Sequence, residues 1–143
     1  MENYLVAESE QGLSREEIRQ ALLASLEGRI VRKALILPPD FTRFHSGAGF
    51  ITNVYYHALS ERGAQVDILP ALGTHEAMSD AQLDAMFGDV PHGRFLKHDW
   101  RHDVVKLGEI PADYVSSITG GYRWFLTVLI TVLLIHLPEV KIL

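Results

Sequence analysis

Cysteine is absent from this chain of 143 residues, which excludes a disulfide framework, a thiolate metal site and a catalytic thiol. Clustered positive charge is missing as well. The 13 Lys and Arg are outnumbered by 18 Asp and Glu, for a formal charge of −5, and they are scattered, so no phosphate-gripping face forms and nucleic acid is not an expected partner. No apolar run reaches the ~20 residues of a membrane-spanning helix; the longest, from Trp124 to Leu137, is shorter than that. The opening MENYLVAESEQG is acidic and lacks the apolar stretch of a signal peptide. On these grounds a cytoplasmic chain is expected. Low-complexity tracts and the dinucleotide fingerprint Gly-x-Gly-x-x-Gly are also lacking.

What is present has the makings of a globular domain: 48% hydrophobic and 22% charged residues, in a length that fits one core. Ser14-Arg15-Glu16-Glu17 is a capping box, and Leu13 can staple onto Ile18, which predicts a helix from Ser14 to about Glu27 with an apolar stripe of Ile18, Leu22 and Leu26. Lys33-Ala34-Leu35-Ile36-Leu37, stopped by Pro38-Pro39, reads as a strand buried on both faces. Phe50, Ile51, Val54, Tyr55, Ala58 and Leu59 recur at helical spacing, with Ser46 as a cap and Gly63 as a stop, so a second helix is expected from Gly47 to Arg62. Val66-Asp67-Ile68-Leu69, ended by Pro70, completes a strand–helix–strand unit whose crossover is expected to be right-handed. A second capping box, Ser79-Asp80-Ala81-Gln82, opens a third helix that stops at Gly88. From Gly93 to Leu107, Phe95-Leu96 and Val104-Val105 suggest two short strands joined by the polar stretch from His98 to Asp103. The alternation predicts an α/β fold, an open Rossmann-like and mostly parallel sheet flanked by helices, with ligands beyond the carboxyl ends of the strands.

That rule points to two loops. The first, residues 38–49, leaves a strand and enters a helix N-terminus. Its backbone amides favour an anion, and Arg43 offers a fork for a carboxylate or phosphate, with Gly47 and Gly49 allowing close approach. The plain alternative is a surface turn in which Arg43 pairs with Asp40. The second loop, residues 70–78, carries His75 just past a strand end, where a side chain able to take and give a proton near neutrality serves as general acid or base. The plain alternative is a structural, hydrogen-bonded histidine, and Glu76 beside it reads as solvated. His98 and His102 sit four apart, the spacing of paired metal ligands on a helix, but no helical apolar stripe accompanies them, so a polar loop is expected and no metal site. His45, His57, His92 and His136 read as structural or surface residues.

With those residues in view, the sequence resembles the amino-terminal domain of the nickel-dependent lactate racemase family. The likeness rests on Pro-Pro-Asp-Phe-Thr-Arg-Phe-His-Ser-Gly-Ala-Gly (38–49), Leu-Pro-Ala-Leu-Gly-Thr-His-Glu-Ala-Met-Ser (69–79), Met-Phe-Gly (86–88) and the segment 98–115, in that order, and runs from about Gly12 to Gly121. It implies a 2-hydroxy-acid racemase or epimerase that uses a nickel-pincer nucleotide, a nicotinic-acid-derived cofactor tethered through a lysine. There the cofactor takes a hydride from the substrate carbon while a histidine takes the hydroxyl proton. By this resemblance His75 is one of two acid/base histidines, Asp40 and Arg43 hold the cofactor phosphate and substrate carboxylate, and Thr42, Gly73 and Thr74 belong to the cofactor site.

The resemblance ends near Gly121. The second acid/base histidine, the tethering lysine and the nickel-ligating histidine of the family have no match here. The sequence therefore divides into a racemase-like domain, 1–121, and an apolar tail, 122–143, whose β-branched content suits a buried strand and which reads as truncated or aberrant. The alternative of a membrane anchor rests on this tail alone, and an exposed tail of this kind favours association. Half a site is expected to be inactive by itself and to hold no cofactor stably. The competing reading is a small anion- or nucleotide-binding module that uses the Asp40–Arg43 loop without catalysis.

Overall fold

The computed structural model describes residues 6–8, 10–99, 102, 104–121, 126–131 and 141–142. The chain forms two compact units, Met1–His98 with Glu139–Leu143, and Asp99–Pro138.

In the first unit the expected helix opens as α1, Arg15–Ser25, on the Ser14 capping box: the Glu17 amide donates to Ser14 Oγ, and the Ser14 amide donates back to the Glu17 carboxylate at 2.8 Å. Strand β1, Lys33–Ile36, lies at the centre of a parallel sheet, which explains its unbroken apolar run: Ala34, Leu35 and Ile36 are all buried. It pairs in parallel with β2, Gln65–Ile68, on one side and with β5, Lys141–Ile142, on the other. In β2 the alternation is visible, with Val66 and Ile68 inside and Asp67 partly exposed, reached by Arg94 at 3.6 Å.

Helix α2, Ala48–Glu61, connects β1 to β2 and buries Val54, Tyr56, Ala58 and Leu59. Its start differs by one residue from the expectation. The segment Phe41–Ser46 forms 3-10 turns interrupted at Arg43 (φ −110°, ψ 29°), and the chain reverses at Gly47, whose φ of 77° is the left-handed conformation glycine tolerates best. Gly47 is therefore the N-cap, while Ser46 Oγ still accepts from the Ala48 amide at 3.2 Å.

Helix α3, Asp80–Phe87, follows the second capping box and stops at Gly88. It lies tight against the first turn of α2. A Cβ at Gly49 would stand 2.0 Å from the Met86 carbonyl oxygen, so Gly49 serves helix packing rather than the close approach of a ligand. Asn53 and His57 of α2 then tie down the chain after α3: Asn53 Nδ2 donates to the Phe87 carbonyl and to Asp89, and His57 Nε2 meets the same Asp89 oxygen at 2.9 Å. Phe95 adds a single parallel bridge to Ile68, all that the expected short strand amounts to.

The second unit contains β3, Val104–Ile110, paired antiparallel with β4, Leu126–Thr131. The strand expected from the β-branched tail is thus present over those six residues; the rest of the apolar run, 124–125 and 132–137, which includes His136, lies outside the described residues. Between the strands in sequence lies α4, Ala112–Thr119, an element not among those expected. Its signals are local: Pro111 at the entry, Asp113 in the first turn and Gly120 at φ 73° as the stop. A parallel sheet flanked by helices is the α/β architecture expected. Among the described residues no helix is long and apolar enough to cross a membrane.

Candidate functional site

The two loops singled out in the sequence are neighbours. The parallel pairing of β1 and β2 continues past both strand ends: the Leu69 amide donates to the Ile36 carbonyl, the Ala71 amide donates to the Pro38 carbonyl at 2.8 Å, and Pro39 and Ala71 form a further parallel bridge. Prolines at 38, 39 and 70 stop each strand without separating the loops, because the ladder there uses the Pro38 carbonyl and the Leu69 and Ala71 amides. Asp40 and His75 leave this shared edge from adjacent strands.

Their side chains meet. His75 Nδ1 lies 2.5 Å from Asp40 Oδ2. The other carboxylate oxygen, Oδ1, accepts from the Thr42 amide at 3.1 Å and the Thr42 hydroxyl at 2.5 Å. Asp40 is 6% exposed. Burial works against its charge, but the bonds from the Thr42 hydroxyl, from His75 and from the Thr42 amide outweigh burial and hold the carboxyl below its ordinary range. The His75 side chain is 56% exposed, and its second nitrogen, Nε2, has no partner among the described residues. The backbone of the second loop is held by the His75 amide donating to the Leu72 carbonyl at 2.9 Å, with Gly73 at φ 59° making that turn.

Arg43 follows Asp40 by one 3-10 turn, its amide donating to the Asp40 carbonyl at 3.0 Å. The surface pairing of Arg43 with Asp40 does not form. Asp40 turns inward to His75, and the exposed Arg43 guanidinium has no partner among the described residues. Gly73, Thr74 and Glu76 are exposed in the His75 loop. His98 has no regular secondary structure, and His102 lies in a turn hydrogen-bonded to Asp99 at 2.7 Å. Of the remaining histidines, His92 stands between Asp84 (2.7 Å) and Asp80 (3.4 Å), and His45 is exposed. Two clefts, of about 490 and 310 Å³, open in the first unit; neither is lined by Asp40 or His75.

No family model matches the sequence, and no curated protein does. Among solved structures, the chain is similar to a protein from Thermotoga maritima, at 26% identity and a TM-score of 0.73 over 93% of this chain and 33% of that one. It shares that protein's fold. A second likeness, to the lactate racemase apoprotein from Thermoanaerobacterium thermosaccharolyticum, is looser, at 21% identity and a TM-score of 0.46 over 80% of this chain and 28% of that one. The chain spans about a third or less of the length of either protein.

Asp40 and His75 were each singled out in the sequence, but the bond between them was not. The signal that joins them is the parallel register of β1 and β2, which no spacing along the chain displays. An exposed imidazole nitrogen backed by a buried, ionised carboxylate can take a proton from a ligand hydroxyl and return it. The exposed guanidinium of Arg43 can pair with a carboxylate or phosphate.

Proposed function

We infer that this chain carries part of the active site of a lactate-type 2-hydroxy-acid racemase or epimerase, in which His75 is an acid/base group and Arg43 binds an anionic ligand. The observation that carries this reading is the Asp40–His75 pair at the edge shared by β1 and β2. A substrate hydroxyl presented to Nε2 would pass its proton to the imidazole, and the imidazolium that forms would be stabilised by the Asp40 carboxylate on its far side. A 2-hydroxy acid carries its carboxylate on the same carbon as the hydroxyl, so the one ligand offers a group to Arg43 and a group to His75.

The nickel-pincer nucleotide, when bound, would supply the hydride acceptor. Its phosphate fits only part of the loop. Arg43 is an exposed cation, whereas Asp40 is itself anionic with both oxygens engaged, and the Thr42 hydroxyl proton already points at Asp40. A phosphate, which only accepts, finds no donor on either side chain.

Calorimetric titration with D-lactate, L-lactate and inorganic phosphate tests the reading. Lactate binding that Arg43→Ala abolishes and His75→Ala weakens supports it. Phosphate binding alone, indifferent to His75→Ala, would establish the non-catalytic anion-binding module instead.

A further inference from the structure

The Asp40 carboxylate is held at three points, and two of them come from one residue. The Thr42 amide and hydroxyl both donate to Oδ1, and His75 meets Oδ2. An ionised carboxylate is acceptor-only, so the proton in the Asp40–His75 contact sits on Nδ1. A neutral imidazole has one N–H, which leaves Nε2 with the lone pair. His75 can therefore act as a base through Nε2 only while Oδ2 stays turned toward Nδ1.

The torsion that turns it is soft, because the last torsion of an aspartate is broad and roughly two-fold. The Thr42 amide, at 3.1 Å, fixes one oxygen but leaves the plane of the carboxylate free to tilt. The hydroxyl, at 2.5 Å, adds a second direction of pull on the same oxygen. We propose that Thr42 is a positioning residue whose hydroxyl fixes the plane of the Asp40 carboxylate and, through it, the tautomer of His75. This assigns Thr42 inward, to the acid/base pair, rather than outward to a cofactor. The inference rests on the reading of His75 as an acid/base group for its functional meaning, but its test reads protonation and not activity.

The test is nitrogen NMR of the histidine rings in the full chain at a mildly alkaline pH. The wild-type chain is expected to show one tautomer, with Nδ1 protonated and Nε2 bare. Thr42→Val, which keeps the shape and the amide but loses the hydroxyl, is expected to move both ring signals toward the averaged values of a mixture. Thr42→Ser is expected to restore the wild-type pattern. If the valine variant does not fold, Thr42→Ala replaces it, and the wild-type spectrum remains decisive because a proton on Nε2 overturns the proposal by itself. An unchanged tautomer in Thr42→Val, or in Thr42→Ala where that replaces it, also overturns it, marking Thr42 as structural only. Failure of lactate to bind would remove the racemase reading and leave these tautomer results standing.

Discussion

Asp40 and His75 are 35 residues apart in the sequence and 2.5 Å apart at their side chains. The contact follows from topology: two adjacent parallel strands end level with one another, and the residue two beyond Pro38 faces the loop beyond Pro70. Asp40 also accepts from Thr42 as the cap of its own 3-10 turn, so one carboxylate organises the first loop and orients the histidine of the second.

The acid limb of stability should report Asp40. Its folded pKa is depressed below 3.8, so its contribution is fully present above that value and is lost as pH falls through the lower folded value. Asp40→Asn is expected to lower stability by about 2 kcal/mol near neutral pH, the scale of a hydrogen bond to a charged group. The gap between variant and wild type should shrink below about pH 4. Thermal melts across that range check it, and a gap that does not depend on pH would contradict it.

Gly49 and Gly47 should fail for different reasons. At Gly49 an added Cβ meets the Met86 carbonyl oxygen at 2.0 Å, and Gly49→Ala is expected to destabilise by about 1–3 kcal/mol with displaced Met86 and Phe87 signals. At Gly47 nothing lies within 4 Å and the difficulty is a φ of 77°. Gly47→Asn should therefore recover much of what Gly47→Ala loses, since asparagine tolerates the left-handed region, and the α3 signals should stay in place.

His92 should make a small contribution of opposite sign in pH. Its hydrogen bond to Asp84 raises its pKa from 6.5, against desolvation and with help from the charges of Asp84 and Asp80. The contribution is fully present below 6.5 and is lost as pH rises through the folded value. His92→Gln is expected to melt earlier than wild type at mildly acidic pH and together with it at alkaline pH. Both carboxylates are largely exposed, so the effect should be small and weakened by salt.

On the proposed reading His75 is one of the two acid/base groups that a lactate-type racemase uses, so the chain by itself, given lactate and the nickel-pincer nucleotide, is expected to racemise nothing. Chiral chromatography of a lactate incubation checks this; turnover that His75→Ala abolishes would show that the described residues suffice.

The features legible in the sequence were the local ones. Both capping boxes, at Ser14 and Ser79, lie where their motifs put them, and the proline stops after Leu37 and Leu69 mark the strand ends that carry the site. The buried run Ala34–Ile36 announced a central parallel strand. What spacing could not show was non-local. It did not reveal that Gly49 makes room for the Met86 carbonyl or that Asp40 turns from Arg43 to His75, because each depends on a partner element.

The central claim is that His75, oriented by Asp40, presents Nε2 to a 2-hydroxy acid. Ring-nitrogen NMR of His75 during titration with D- and L-lactate tests it most directly. The Nε2 signal is expected to move with lactate while Nδ1 stays protonated and bonded to Asp40, and Arg43→Ala is expected to remove the response. A His75 ring indifferent to both enantiomers, in a chain that binds them elsewhere or not at all, would contradict it.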